Sequence, residues 1–226
     1  MLAELLGPLI RSRRLQAGQG WEALPRPLDD PSVQIGGADP ERVLLFGSGP
    51  AAGWGVTTHD RGLPGHLARR RAQHTGRGCE VDVIAVPILP IGGAATAVRD
   101  ARLWRYDVIA VTWGLSDALA LTPVAEWGRT MAGLLAFLHS SSGPTSRIIV
   151  AGIQPVRSVP LFDARWAVLP ERHVGRLNTA TRGLCAGLPR VTYVDPPPLP
   201  RAGPGPTVAP AVYEDWARTV SDAIAS

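Results

Sequence analysis

Arg42-Val43-Leu44-Leu45-Phe46-Gly47-Ser48-Gly49-Pro50-Ala51-Ala52-Gly53-Trp54-Gly55-Val56 runs from a nearly unbroken apolar segment into a turn of glycine, serine and proline. Residues 42–46 are too few for a stable helix and too uniformly apolar for a strand with one wet face. Such a run suits a strand buried on both faces, as in a parallel sheet. Four more runs share its character: 81–86, 107–113, 147–151 and 191–194, each four to seven residues long and rich in Val and Ile. Helical stripes lie between them. Val124, Trp127, Met131, Leu134, Leu135 and Leu138 recur at three-to-four spacing behind Pro123, which fits a helix start because its missing N–H needs no partner there. Leu177, Leu184 and Leu188 mark a weaker stripe, Tyr213, Trp216, Val220 and Ile224 a terminal one, and residues 62–74 one more.

Strand and helix in alternation predict an α/β fold, a three-layer α/β/α sandwich around a five-stranded parallel sheet of flavodoxin-like order. Chemistry in such sheets gathers at the carboxyl ends of the strands, so the loops after Phe46, Val86, Trp113 and Ala151 are the places to look. Residues 29–40 and 196–206, rich in Pro and Gly, read as irregular connections. A chain of 226 residues suits one sizeable core. The expected organisation is an N-terminal extension over 1–40 packed on a domain over 41–226.

Composition narrows the function classes. The chain is 45% hydrophobic and 19% charged, a globular balance, and no apolar run approaches the roughly 18 residues of a membrane span. Met1 to Ile10 precede Arg11, Arg13 and Arg14, the reverse of a secretory signal, so a cytoplasmic location is expected. Cys79 and Cys185 are the only cysteines; they form neither a disulfide framework nor a zinc spacing and read as buried thiols. No metal is expected. All 23 basic residues are Arg and none is Lys, which fits the codon bias of a GC-rich genome, so the net charge of +4 gives no case for nucleic acid. Arg69, Arg70 and Arg71 splay around a helix instead of forming a stripe and are expected on a solvated face.

The turn at 47–56, followed by Thr57-Thr58-His59-Asp60-Arg61-Gly62-Leu63-Pro64-Gly65, resembles the first block of the SGNH (GDSL-type) hydrolases, Gly-Asp-Ser-x-x-x-Gly-x-Gly, in the form common among actinobacterial members. Gly53, Gly55, Leu63 and Pro64 fit. Ser48, however, falls where the family has Asp, and Gly49 where it has the nucleophilic Ser. Gly92-Gly93-Ala94-Ala95-Thr96 is similar to the second block, which puts Gly93 at a backbone oxyanion donor. Gly114-Leu115-Ser116-Asp117 matches the third block, Gly-x-Asn-Asp, with Ser116 in place of Asn. Tyr213-Glu214-Asp215-Trp216-Ala217 resembles the closing helix, and counting back places Thr207 at the family's His and Pro204 at its Asp. No His follows His173. The likeness also takes in residues 152–170, 176–184 and 5–14, nearly the whole chain. It implies a retained scaffold with a degenerate triad.

Each candidate has a sharp and a plain reading. Ser48 is a recruited nucleophile or a turn residue. His59 is an acid or base swung toward the site or a residue of a solvated loop. Asp117, with Ser116 beside it, is a general acid or base or a structural holder of loops. Gly49 and Gly93 offer backbone N–H groups to an oxyanion, and Trp54 and Trp113 form an aromatic floor or simply pack the core. The spacing of the glycine-rich turn is wrong for a dinucleotide, so no cofactor is expected. The leading expectation is a repurposed, non-hydrolytic enzyme (cyclisation, isomerisation or elimination) acting on a small acyl or carbonyl compound in biosynthetic metabolism. The alternatives are an inactive protein that binds a ligand or a protein partner, and an esterase using Ser48.

Overall fold

A computed structural model of the chain describes residues 24–156, 168–198 and 210–225. The segments 5–14 and 157–167, positions 204 and 207, and residues 199–206 of the Pro-rich connection lie outside the described residues.

Alternation along the apolar runs sets the layers. Leu44, Phe46, Ile109, Val111, Ile148 and Val150 face one core. Val43, Leu45, Val108, Ala110, Ile149 and Ala151 face the other. Each run is therefore wet on neither side, and helices must cover both. The strands among the described residues are β1 (Ser32–Ile35), β2 (Glu41–Gly47), β3 (Cys79–Ala85), β4 (Val108–Thr112), β5 (Arg147–Ala151) and β6 (Val191–Val194). The helices are α1 (Leu63–Thr75), α2 (Ala94–Val98), α3 (Leu115–Ala120), α4 (Val124–Ser141), α5 (Val168–Ala186) and α6 (Pro210–Ala225). Trp127, Met131, Leu134, Leu135 and Leu138 of α4 and Leu177 of α5 seal the first core. Leu63 and Leu67 of α1 and Tyr213, Trp216, Val220 and Ile224 of α6 seal the second. The three-layer α/β/α sandwich expected from the sequence is the observed architecture.

Among the described residues the sheet has six strands in the order β1-β3-β2-β4-β5-β6, not five. All neighbours from β3 to β6 run parallel, while β1 lies antiparallel on β3, with Ser32 opposite Asp82 and Ile35 opposite Cys79. The segment 29–40, read as irregular, thus contains an edge strand. Its four residues, Ser-Val-Gln-Ile, are too short for a periodic signal between their Pro and Gly neighbours, and what makes them a strand is the open edge of β3.

The arginine cluster also departs from expectation. Arg69 pairs with Asp60 and Arg70 with Asp222 at 2.9 Å, both near solvent. Arg71 instead turns inward, 4% exposed, and grips both carboxylate oxygens of Glu41 at 2.7 and 2.8 Å. Consecutive helical side chains diverge by about 100°, and here the third is directed into the packed layer between α1, β2 and α6. Both cysteines are buried, and burial pushes the Cys79 thiol up to about 12 and the Cys185 thiol up to about 11.

Candidate functional site

The order in which strands are added reverses between β2 and β4, since β3 follows β2 on one side and β4 returns to its other side. Crevices form at such a switch point because the two following loops diverge. A cleft of about 20 Å³ opens there. Ser48, Gly49 and Pro50 line it after β2, Thr112, Trp113 and Leu115 after β4, and Gly152, Ile153 and Gln154 after β5, while Trp216 reaches it from α6.

Hydrogen bonds between strand ends fix this rim. The Ser48 N–H donates to the Thr112 carbonyl at 2.6 Å, and the Thr112 hydroxyl donates back to the Ser48 carbonyl at 2.9 Å. Gly49 then takes a left-handed φ of +58°, which glycine adopts without the strain a Cβ brings. Gly114 turns β4 into α3 at φ +120°, with Ile153 and Trp127 so close that a Cβ would meet them at 2.5 and 2.7 Å. The loop after β5 is held by Asn178 of α5, whose Oδ1 accepts the Ile153 N–H at 2.8 Å and whose Nδ2 donates to the Ile153 carbonyl at 3.0 Å.

Of the residues singled out by sequence, Ser48, Gly49 and Trp113 meet at the cleft. The others have different surroundings. Asp117 is 1% exposed; its Oδ2 accepts the Ile91 N–H at 3.0 Å and its Oδ1 the Thr122 hydroxyl at 3.2 Å. Those bonds tie α3 to the loop after β3, the structural of its two readings. Ser116 is buried beside it and is not part of the lining. The Gly93 N–H donates to the Pro90 carbonyl at 3.0 Å within a tight turn, an engagement that competes with service as an oxyanion donor. Trp54 is partly buried, carries the Arg26 guanidinium 5.2 Å over its ring, and offers its carbonyl to the Tyr213 hydroxyl at 2.6 Å.

His59 corrects the expectation of a solvated loop. It is 9% exposed, its Nδ1 lies 2.8 Å from Asp29 Oδ1, and its backbone N–H donates to both Asp29 oxygens at 3.0 and 3.1 Å. Burial works to raise the Asp29 carboxyl, but the hydrogen bonds from His59 outweigh it and hold it below the ordinary value. The pair pins residues 24–31 to the turn that follows the glycine-rich loop, away from the cleft lining.

Sequence reasoning missed Thr112, Gln154 and Trp216 as site residues. Gln154 sits in a loop the topology had already marked, after Ala151, so position was the available signal. Trp216 had none, because its helical stripe reads as core. Among the described residues no His, Cys, Asp or Glu lines the cleft, and none of these residue types gathers in threes as a metal site would require. The described lining is uncharged, with two tryptophans among it.

A doubly wound sheet with a crevice at its switch point is the arrangement in which α/β proteins place their ligand sites. Residues 45–222 match the GDSL-like lipase/acylhydrolase family, and the chain belongs to that family. No curated protein matches it. Among solved structures it is similar to the lipase/acylhydrolase from Enterococcus faecalis, at 15% identity and a TM-score of 0.62 over 81% of this chain and 95% of that one. It is similar to the aryl esterase of M. smegmatis at 15% identity and a TM-score of 0.63, over 82% of this chain and 98% of the esterase. A salicylyl-acyltransferase from a tetracycline biosynthetic pathway shares the fold at 14% identity and a TM-score of 0.57, over 83% of this chain and 56% of that one. No helix among the described residues is long and apolar enough to cross a membrane.

Proposed function

We propose that this protein uses the GDSL-type cleft to bind a small acyl or carbonyl compound without hydrolysing it. The observation that carries this reading is the cleft lining, which among the described residues holds no titratable group. Serine hydrolysis needs a nucleophile, a base in hydrogen-bond reach and an oxyanion hole. Gly49, at the position of the family's nucleophile, has no side chain. Ser48 has a hydroxyl, but His59, the imidazole nearest it in the chain, is not part of the lining.

A repurposed enzyme would need a proton carrier in the same place. Asp117 is engaged by Ile91 and Thr122, and Ser116 is not in the lining, so binding without turnover is the better supported of the two. That the fold serves purposes other than hydrolysis is in keeping with the acyltransferase that shares it.

The test is intact-mass spectrometry after exposure to a fluorophosphonate probe, with turnover of short-chain aryl esters measured alongside. No adduct and no turnover from folded protein are expected. A stoichiometric adduct mapped to Ser48, with ester turnover, would make this an esterase and end the proposal.

A further inference from the structure

Trp104 stands apart from the other described tryptophans: it is 67% exposed, while Trp113, Trp127 and Trp216 are buried. It lies at the end of the sheet opposite the cleft, in the turn Leu103–Arg105 that leads into β4. That turn packs against α4, and the Trp104 carbonyl lies beside Gly143, two residues past the end of the helix. The outward stripe of α4 that it flanks is Glu126, Arg129, Gly133, Ala136 and Ser140. Beyond Arg129 the helix has no Asp, Glu or Arg, whereas the outward residues of α5 include Arg172, Arg176 and Arg182, and those of α6 Glu214, Arg218 and Asp222. A helix face turned to water ordinarily carries such charges along its length. Gly133 is open outward as well: a Cβ there meets nothing within 4 Å, so no contact inside the chain calls for the residue that a helix interior tolerates least after proline.

From this face we infer that α4 and Trp104 form a contact surface for a second copy of the chain, the two helices antiparallel about a two-fold axis at Gly133. This is independent of what the cleft binds. Charge at the two ends of the helix selects that occupant. Glu126 and Arg129, near the amino-terminal end, form an ion pair with no described residue. At the carboxyl end stands Arg190, whose guanidinium donates to the carbonyls of Gly143 and Ser146 at 2.7 and 3.0 Å and bonds His139, with no carboxylate among its described partners. An antiparallel pair centred on Gly133 sets position 126 of one copy opposite position 140 of the other. Each Glu126 then comes to the end where the other copy's Arg190 stands, and each Arg129 to the negative end of the other helix dipole. A parallel pair would set like ends together, and a uniformly acidic or basic partner would suit only one end. The two-fold makes every such contact twice, as an isologous interface does, and Trp is the kind of side chain that anchors interfaces. The 18 residues of α4 span about 27 Å. A strip of that length, about 20 Å wide to take in the Trp104 flank, covers roughly 500 Å² on each copy, the low end of specific interfaces, so the dimer is a micromolar one.

The test is sedimentation velocity with light scattering on the full chain, from low to high micromolar concentration, and cysteine trapping to locate the contact. Wild type is expected to pass from monomer to dimer mass as concentration rises, Ala136→Glu and Trp104→Ser to stay monomeric, and Glu126→Arg to associate about tenfold more weakly. Cys79 and Cys185 are both buried, so a thiol placed on the surface is the one that reacts. Under mild oxidation Gly133→Cys, on the axis, is expected to give a disulfide-linked dimer, and Thr179→Cys, on the outward side of α5, to give none. A wild type that stays monomeric throughout overturns the proposal. So does a dimer that persists in Ala136→Glu and Trp104→Ser, or one that Gly133→Cys traps no better than Thr179→Cys, since the contact then lies on another face. Undiminished association of Glu126→Arg overturns the antiparallel arrangement. Should Ala136→Glu fail to fold, Trp104→Ser and the two cysteine variants decide it.

Discussion

At position 49 a side chain would find room but not a relaxed backbone. A Cβ there meets nothing within 4 Å, while the φ of +58° penalises any L-residue by about 1 kcal/mol or somewhat more. Gly49→Ser is therefore expected to fold, to lose about 1 kcal/mol in a urea melt, and to stay inactive on aryl esters, because a hydroxyl alone has no base among the described lining residues. Vigorous ester turnover by this variant would show that only the nucleophile had been lost. The residue scale also separates two serine neighbours that sequence had put on a par: Ser48 lines the cleft, and Ser116, one residue past the lining residue Leu115, does not. A helix turns its successive side chains through about 100°, so adjacency in sequence is a poor guide to adjacency at a site.

Among the elements, short clamps do more than long helices to shape the cleft. Asp117 holds the start of the loop at 91–93 to α3, and Asn178 holds the loop after β5. Asp117→Ala leaves the Ile91 N–H without its acceptor, and an unmet buried donor costs about 1–3 kcal/mol. A loss of that size is expected in chemical denaturation, with Asp117→Asn intermediate because one oxygen remains to accept. If Asp117→Ala matched wild type in stability, the carboxylate would not be the structural clamp described. Strands, by contrast, were legible: residues 147–151 and 191–194 are strands at the predicted positions, because burial on both faces leaves an unmistakable apolar run. The edge strand β1 was not, since its pairing depends on β3 and not on its own pattern.

On the scale of the whole molecule, the Glu41–Arg71 pair locks β2 to α1, and Arg71 also reaches the Ser221 carbonyl of α6 at 3.3 Å. Arg71→Met strands a carboxylate that is only 8% exposed, and breaking a buried pair in this way costs about 3–5 kcal/mol. A large fall in melting temperature is expected, with much of it recovered in the Glu41→Leu, Arg71→Met double variant, since replacing both charges with apolar groups removes the stranded one. Failure of the double variant to recover would assign the effect to packing. The sequence by itself determined the layered architecture, the strands of the parallel sheet and the ends at which a site would lie, because alternating burial is written locally in the spacing of apolar residues. Only the tertiary structure decided that Arg71 turns inward, that His59 binds Asp29 and that Trp216 meets Trp113 at one cleft. Those meetings join residues distant in the chain, and the packing of helices on opposite faces of the sheet brings them together without any local pattern to announce it.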